Sequence, residues 1–391
     1  MTTNVQPNPK PVVVITFAER MRPTYLAKAD LERLRAFAEP VWLPIPPDLN
    51  RGPDGRGRRE GGQRPPTTRL RRAPAQQPSP PRGLATSPEP RPELLEALPR
   101  ADALVVCNGA PLIDASLLER APRLRFVGEL EGDRFAQRID VEACLARGVT
   151  AVDTTNGSSY PVSEWALAMM LIALRNAGHE FRRMLAGETG QDRGHPGYFF
   201  GELTGKRVGL IGCGHIGRRL LEFLRPFRCA VRVYDPYLAP EVADIYDFTH
   251  TTLEHVFRGS DVVVCLAPLT PRTRGMIGAR ELDWLQPNAA FVNVSRGPIV
   301  DSAALIERLK RGDGVRAALD VFDPEPIPAE GPLSEIRQLP NVFLTPHIAG
   351  SNHESRPRFF SLMVDELERF FHGHQPRYVL TDRTLANRRG L

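Results

Sequence analysis

The chain has 391 residues, 41% apolar, 25% charged and 7% aromatic, which excludes a disordered or fibrous protein and leaves room for two domains of ordinary size. A formal net charge of +5 points toward nucleic acid or an anionic membrane. Residues 51–92, however, hold ten Arg, three acidic residues, ten Pro and six Gly, a local +7 that leaves the other 349 residues at −2 and removes the main support for either partner.

From the amino end, PVVVITF (11–17), a helical pattern to about Phe37 and VWLPI (41–45) read as strand, helix, strand. Residues 51–92 carry only two large apolar side chains, Leu70 and Leu84, too few to offset the entropy of ordering. They are expected to form a disordered insertion in a surface loop, without the aromatic residues that stack on bases. The alternation resumes with DALVV (102–106), a helix around 114–120, LRFVG (124–128), a helix opening at Asp140 and closing at Gly148, and VTAV (149–152). Such βα repetition implies a mostly parallel sheet with helices on its faces.

PVSEWALAMMLIALR (161–175) predicts a buried helix, with Pro161 in its first turn, Glu164 near the positive end of its dipole and Arg175 at the other end. Residues 182–200 read as an irregular excursion after it. Six strands follow, VGLIG (208–212), VRVYD (231–235), DVVVCLAP (261–268), AFVNVS (290–295), VRAALD (315–320) and VFLTP (342–346), enough for a full doubly wound sheet. RFFSLMVDELERFFH (358–372) predicts an amphipathic helix ahead of a loose tail. The longest uncharged apolar run, 165–174, is about half of a membrane span, and MTTNVQPNPK lacks an apolar signal segment. Five scattered Cys without ligand spacing predict neither disulfides nor a metal site, and a reducing compartment, the cytoplasm, is the simplest setting.

The chemistry concentrates in KRVGLIGCGHIGRRLLEFL. Gly212, Gly214 and Gly217 follow an apolar strand and open a helix, the context a GxGxxG motif needs to bind a dinucleotide. Gly212 permits the tight turn, Gly214 lets the backbone approach a pyrophosphate and Gly217 allows close helix packing, while the helix start at His215 and Ile216 supplies N–H donors and partial positive charge. Asp235, 23 residues after Gly212, would accept hydrogen bonds from an adenosine ribose and repel a 2′-phosphate, favouring NAD over NADP. Three further residues fall at strand ends, where an open parallel sheet places its ligand. Arg296 in NVSRGPIVD can form a two-pronged contact with a carboxylate. Glu325 follows Asp320 in ALDVFDPEPIP, and His347 stands in LTPHIAGS. An Arg, a carboxylate and a His from three such loops supply anion binding, an orienting partner and a proton-transfer group.

In combination, GxGxxG, the Asp at the next strand end, DVVVCLAPLTPRTRGMIG, NVSRGPIVD, DVFDPEP and TPHIAG resemble the D-isomer-specific 2-hydroxyacid dehydrogenases. The resemblance is strong over about 140–350. It implies two doubly wound α/β domains, a Rossmann NAD-binding domain (156–348) inserted into a flavodoxin-like substrate domain (1–155, with the insertion 51–92), to which the helix of 349–391 returns. It further implies a homodimer, a 2-hydroxy or 2-oxo acid substrate bound by Arg296, His347 as acid/base and Glu325 as its partner. Asp320 would contact the nicotinamide carboxamide, and Thr273, Val294, Ser295 and Arg296 would line the cofactor. The family also includes corepressors, so an NAD(H)-binding corepressor or scaffold is the alternative.

Two positions depart from the family pattern. A small uncharged substrate loop is expected after the strand at 124–128, but VGELEGDRFAQRID carries Glu129, Glu131 and Asp133. These either point to solvent or meet a cationic or donor group on the substrate. Leu266 stands where relatives often have His and is expected to affect packing only. His195 and His353 lie in no matching motif.

Overall fold

The computed structural model describes residues 9–46, 88–133, 137–188, 190, 201–350, 352–382, 384 and 386. The chain forms two compact units. The first comprises residues up to 132, 136–153 and 363–379, and the second 133–135, 154–362 and 380 onward.

The first unit holds five parallel strands, β1 (Val12–Ala18), β2 (Glu39–Ile45), β3 (Ala103–Val106), β4 (Phe126–Glu129) and β5 (Thr150–Asp153). Their order is β2-β1-β3-β4-β5, the flavodoxin-like arrangement. Val13, Val14, Ile15, Leu104, Val105, Phe126 and Val127 are fully or almost fully buried, as expected of strands covered on both faces. Asp114 and Asp140 accept hydrogen bonds from the main chain of Leu117 and Ala143 and so cap the two helices that the sequence places there.

The second unit carries seven parallel strands, β6 (Arg207–Ile211), β7 (Ala230–Tyr234), β8 (Thr249–His250), β9 (Val262–Cys265), β10 (Ala290–Asn293), β11 (Arg316–Leu319) and β12 (Val342–Leu344). Their order is β12-β11-β10-β9-β6-β7-β8, two βαβ halves diverging from β6 and β9 with one strand added beyond β11. Alternate residues feed two cores. Val262, Val264 and Val292 pack on one face with the helix Ser159–Leu174, and Val263, Cys265 and Phe291 pack on the other. Each such side chain contributes roughly 1.5–3 kcal/mol by burial.

Several boundaries differ from the sequence analysis. The expected disordered insertion, 51–92, lies outside the described residues over 51–87, and over 88–92, which are described, the expectation fails. Arg91 donates from Nη1 to the Pro44 carbonyl at 2.9 Å, and Pro92 opens the helix Pro92–Ala97, where a missing N–H is harmless. The excursion at 182–200 begins as ordinary helix, Ala177–Leu185, and its residues 189 and 191–200 are outside the described set. Strand β8 adds a seventh to the six expected; two exposed residues carry no periodicity to read. The last long helix, Arg356–Phe371, contains the chain's crossing between units at 362/363, where the sequence analysis puts a boundary at 348/349.

Candidate active site

The dinucleotide turn follows β6. Gly212 takes φ +95°, which a side chain would strain, and a Cβ there would meet Ala267 N at 3.0 Å. A Cβ on Gly217 would lie 2.9 Å from the Gly212 carbonyl oxygen, so the helix His215–Leu224 can sit against the turn only with Gly at that position. Gly214 is the N-cap and brings no side-chain acceptor, leaving the first N–H groups of that helix for a ligand. His215 is exposed and Ile216 half-buried, packed on the core. In the same first turn, Arg218 Nε is buried without a hydrogen-bond partner in the structure, a cation placed where an anion is expected. Burial pushes the Cys213 thiol up to about 11, opposed by the Arg218 charge and reinforced by Asp235.

Asp235 follows β7 and is half-buried. Its Oδ2 accepts from Cys213 N–H at 2.9 Å and its Oδ1 from Tyr237 N–H at 3.0 Å, which fixes the carboxylate beside the glycine turn with lone pairs to spare. Thr273 closes a turn of its own, donating to the Pro268 carbonyl at 2.6 Å and accepting from Thr270 N–H at 2.8 Å. Leu266 packs on the core, as expected. An orienting turn, an open helix start, a carboxylate at ribose distance along the chain and a nearby cation together fit NAD.

Beyond β10, Val294 is buried, and Ser295 donates from Oγ to the Ala267 carbonyl. Asn293, which is not among the residues expected from sequence, accepts from Ser295 N–H at 3.0 Å and donates to the Arg296 carbonyl at 3.3 Å, fixing the main chain around Arg296. A polar residue closing the apolar strand AFVN is the signal that could have revealed it. Gly297 is packed so closely on Phe322 that any Cβ would collide with the Phe322 carbonyl. Burial pushes the Arg296 guanidinium below its ordinary value, and the Glu325 carboxylate opposes that shift, so the two groups lie within electrostatic reach.

His347 follows β12 at φ +55°, its N–H donating to the Asp320 carbonyl at 2.8 Å. Its Nδ1 stands 3.1 Å from Glu325 Oε2. Because a carboxylate only accepts, Nδ1 carries the proton and Nε2 is left to act. Asp320 is fully buried, and its carboxylate accepts from Thr345 Oγ1 at 2.5 Å, Ile348 N–H at 2.9 Å and Ala349 N–H at 2.9 Å. These three bonds make Asp320 the holder of the turn that carries His347, and a carboxylate with about four acceptor sites keeps capacity for a further donor. Of the two histidines that lie in no matching motif of the sequence, His353 is exposed and His195 lies outside the described residues.

None of the three acidic residues Glu129, which closes β4, Glu131 and Asp133 simply faces solvent. Glu129 is fully buried and paired with Arg138, whose N–H it also accepts at 2.8 Å. Glu131 accepts from Tyr25 Oη at 2.7 Å. Asp133 pairs with Arg296. Among the described residues no group of three or more His, Cys, Asp or Glu could hold a metal ion, and no helix is long and apolar enough to cross a membrane.

Fold and site together define an NAD-binding oxidoreductase. The NAD-binding domain model of the D-isomer specific 2-hydroxyacid dehydrogenases matches residues 167–349. Glyoxylate reductase of Pyrococcus furiosus is 33% identical over 303 residues, covering 77% of this chain and 88% of that protein. D-3-phosphoglycerate dehydrogenase of Methanocaldococcus jannaschii is 33% identical over 290 residues, 74% of this chain, which spans about half (53%) of that longer protein. In fold, a phosphoglycerate oxidoreductase from Rhizobium etli superposes with a TM-score of 0.71 at 21% identity, covering 96% of this chain and all (100%) of that one. The chain belongs to the D-isomer specific 2-hydroxyacid dehydrogenases, and its cofactor is NAD.

Proposed function

We propose that the protein interconverts a 2-oxo acid and its D-2-hydroxy acid, with His347 as acid/base, Glu325 as its orienting partner and Arg296 as the substrate anchor. The observation that carries this reading is the 3.1 Å contact of His347 Nδ1 with Glu325 Oε2, which turns Nε2 into the reactive nitrogen. NAD, when bound, supplies hydride exchange at C2. During reduction the imidazolium gives its Nε2 proton to the oxygen developing charge on C2, and Glu325 stabilises the imidazolium until then. In the reverse direction neutral Nε2 takes that proton. Arg296 orients the substrate through its carboxylate.

Gly212, Gly214, His215, Ile216 and Gly217 would hold the pyrophosphate and Asp235 the adenosine ribose, with Thr273, Val294, Ser295 and the Arg296 main chain lining the remainder. Asp320 holds the His347 turn and would meet the nicotinamide carboxamide with its remaining acceptor capacity. Five free thiols, four of them buried, support a reducing compartment, the cytoplasm. A homodimer is supported by Phe181, Met184 and Leu185, exposed by 62%, 62% and 73% along one side of the helix Ala177–Leu185.

The test is NADH oxidation against glyoxylate, hydroxypyruvate, and branched and basic 2-oxo acids. His347→Ala should lower turnover by about 10²–10⁴-fold with NADH affinity kept; retained turnover removes His347 from its role. If NADH binds tightly and no acid turns over, the protein is instead a cofactor-responsive binding protein of this fold.

A further inference from the structure

Asp133 packs with the dinucleotide unit although the strand that leads to it, β4, belongs to the other. Its carboxylate engages Arg296 along one edge, Oδ2 lying 3.2 Å from Nε and Oδ1 bonded to Nη2. Nη1 donates to the Ser295 carbonyl at 2.6 Å. The Nε/Nη2 edge is a fork that matches the two oxygens of a carboxylate. In this structure that fork holds a carboxylate from the chain itself. Glu325 brings a second negative charge within reach of the same guanidinium, so the cation is offset twice before any anionic substrate arrives.

We propose that Asp133 is a specificity-determining residue: it occupies the edge of Arg296 that a substrate carboxylate needs, and a 2-oxo acid binds by displacing it. The inference rests on Arg296 as the carboxylate anchor. Its consequence is a choice of substrate class. A minimal acid such as glyoxylate offers little besides its carboxylate to drive the exchange, so the site favours 2-oxo acids with further groups that the protein can recognise.

Asp133→Asn is the informative variant. It removes the charge at constant size, and Asn tolerates the φ of +61° that Asp133 adopts. The readout is the Kd of oxamate, an unreactive 2-oxo acid analogue, for the NADH-loaded full chain, followed by NADH fluorescence. Asp133→Asn should tighten oxamate by about tenfold or more, the scale of a charge-assisted hydrogen bond. Adding Arg296→Gln should abolish that gain. Asp133→Gly, which also accepts positive φ, should reproduce the tightening if the Asn variant folds poorly. An unchanged or weaker Kd in the folded variants, a gain that survives Arg296→Gln, or no measurable oxamate binding to any variant overturns the proposal. Because oxamate binding needs no turnover, the two readings fail separately. A tightened Kd without turnover on any 2-oxo acid sinks the dehydrogenase assignment alone, and turnover with an unchanged Kd sinks this one alone.

Discussion

His347 is held by its surroundings at both ends of the residue. Glu325 meets its ring, and the Asp320 carbonyl meets its N–H. The Asp320 carboxylate in turn takes three donors from Thr345, Ile348 and Ala349, so the turn is built around one buried charge. Asn at 320 could accept on one oxygen only and would point an N–H₂ at a donor. Asp320→Asn should therefore destabilise the protein by about 1–3 kcal/mol, read as a shift in denaturant midpoint, and lower turnover more than NADH affinity. The placement of Arg296, Glu325 and His347 beyond strand ends was legible because each follows an apolar strand within a recognisable motif. The pairing of Asp133 with Arg296 was not, since 163 positions separate the two and no local pattern encodes such a contact.

At the scale of elements, the strands were legible because buried parallel strands read as unbroken apolar runs. What escaped were pieces whose identity depends on partners. Strand β8 is two exposed residues paired to β7, and Pro88–Pro92 are fixed by contacts such as Arg91 with the Pro44 carbonyl. The last residue of β4 carries a consequence for pH. Burial pushes the Glu129 carboxyl up to about 7, with Arg138 working against it. The folded state then holds this proton more tightly than the unfolded chain does. The stability this confers is complete below about pH 4.5 and is lost as pH rises toward about 7. The loss should be of the order of 1–3 kcal/mol. Glu129→Gln should remove that slope, so the difference between wild type and variant in unfolding free energy, measured from pH 5 to 8, should change in this sense. A difference constant across that range would contradict the argument.

For the whole molecule, the family motifs made the class of fold legible, but the net charge did not. The +7 of residues 51–92 outweighs the −2 of everything else, so the average describes one segment and not the other 349 residues. Association is the other property at this scale. Phe181, Met184 and Leu185 expose an apolar side on the helix Ala177–Leu185, the surface to which the proposed dimer is assigned. Leu185→Glu should convert the proposed dimer to monomer in sedimentation velocity, and an unchanged species would place the interface elsewhere.

The contact between Gly297 and Phe322 joins the loop that bears Arg296 to the loop that leads to Glu325 through main chain alone. The two loops are thereby held against each other by peptide groups, independent of which side chains surround them. A substitution at a side chain facing the substrate, as proposed for Asp133, leaves this main-chain contact in place.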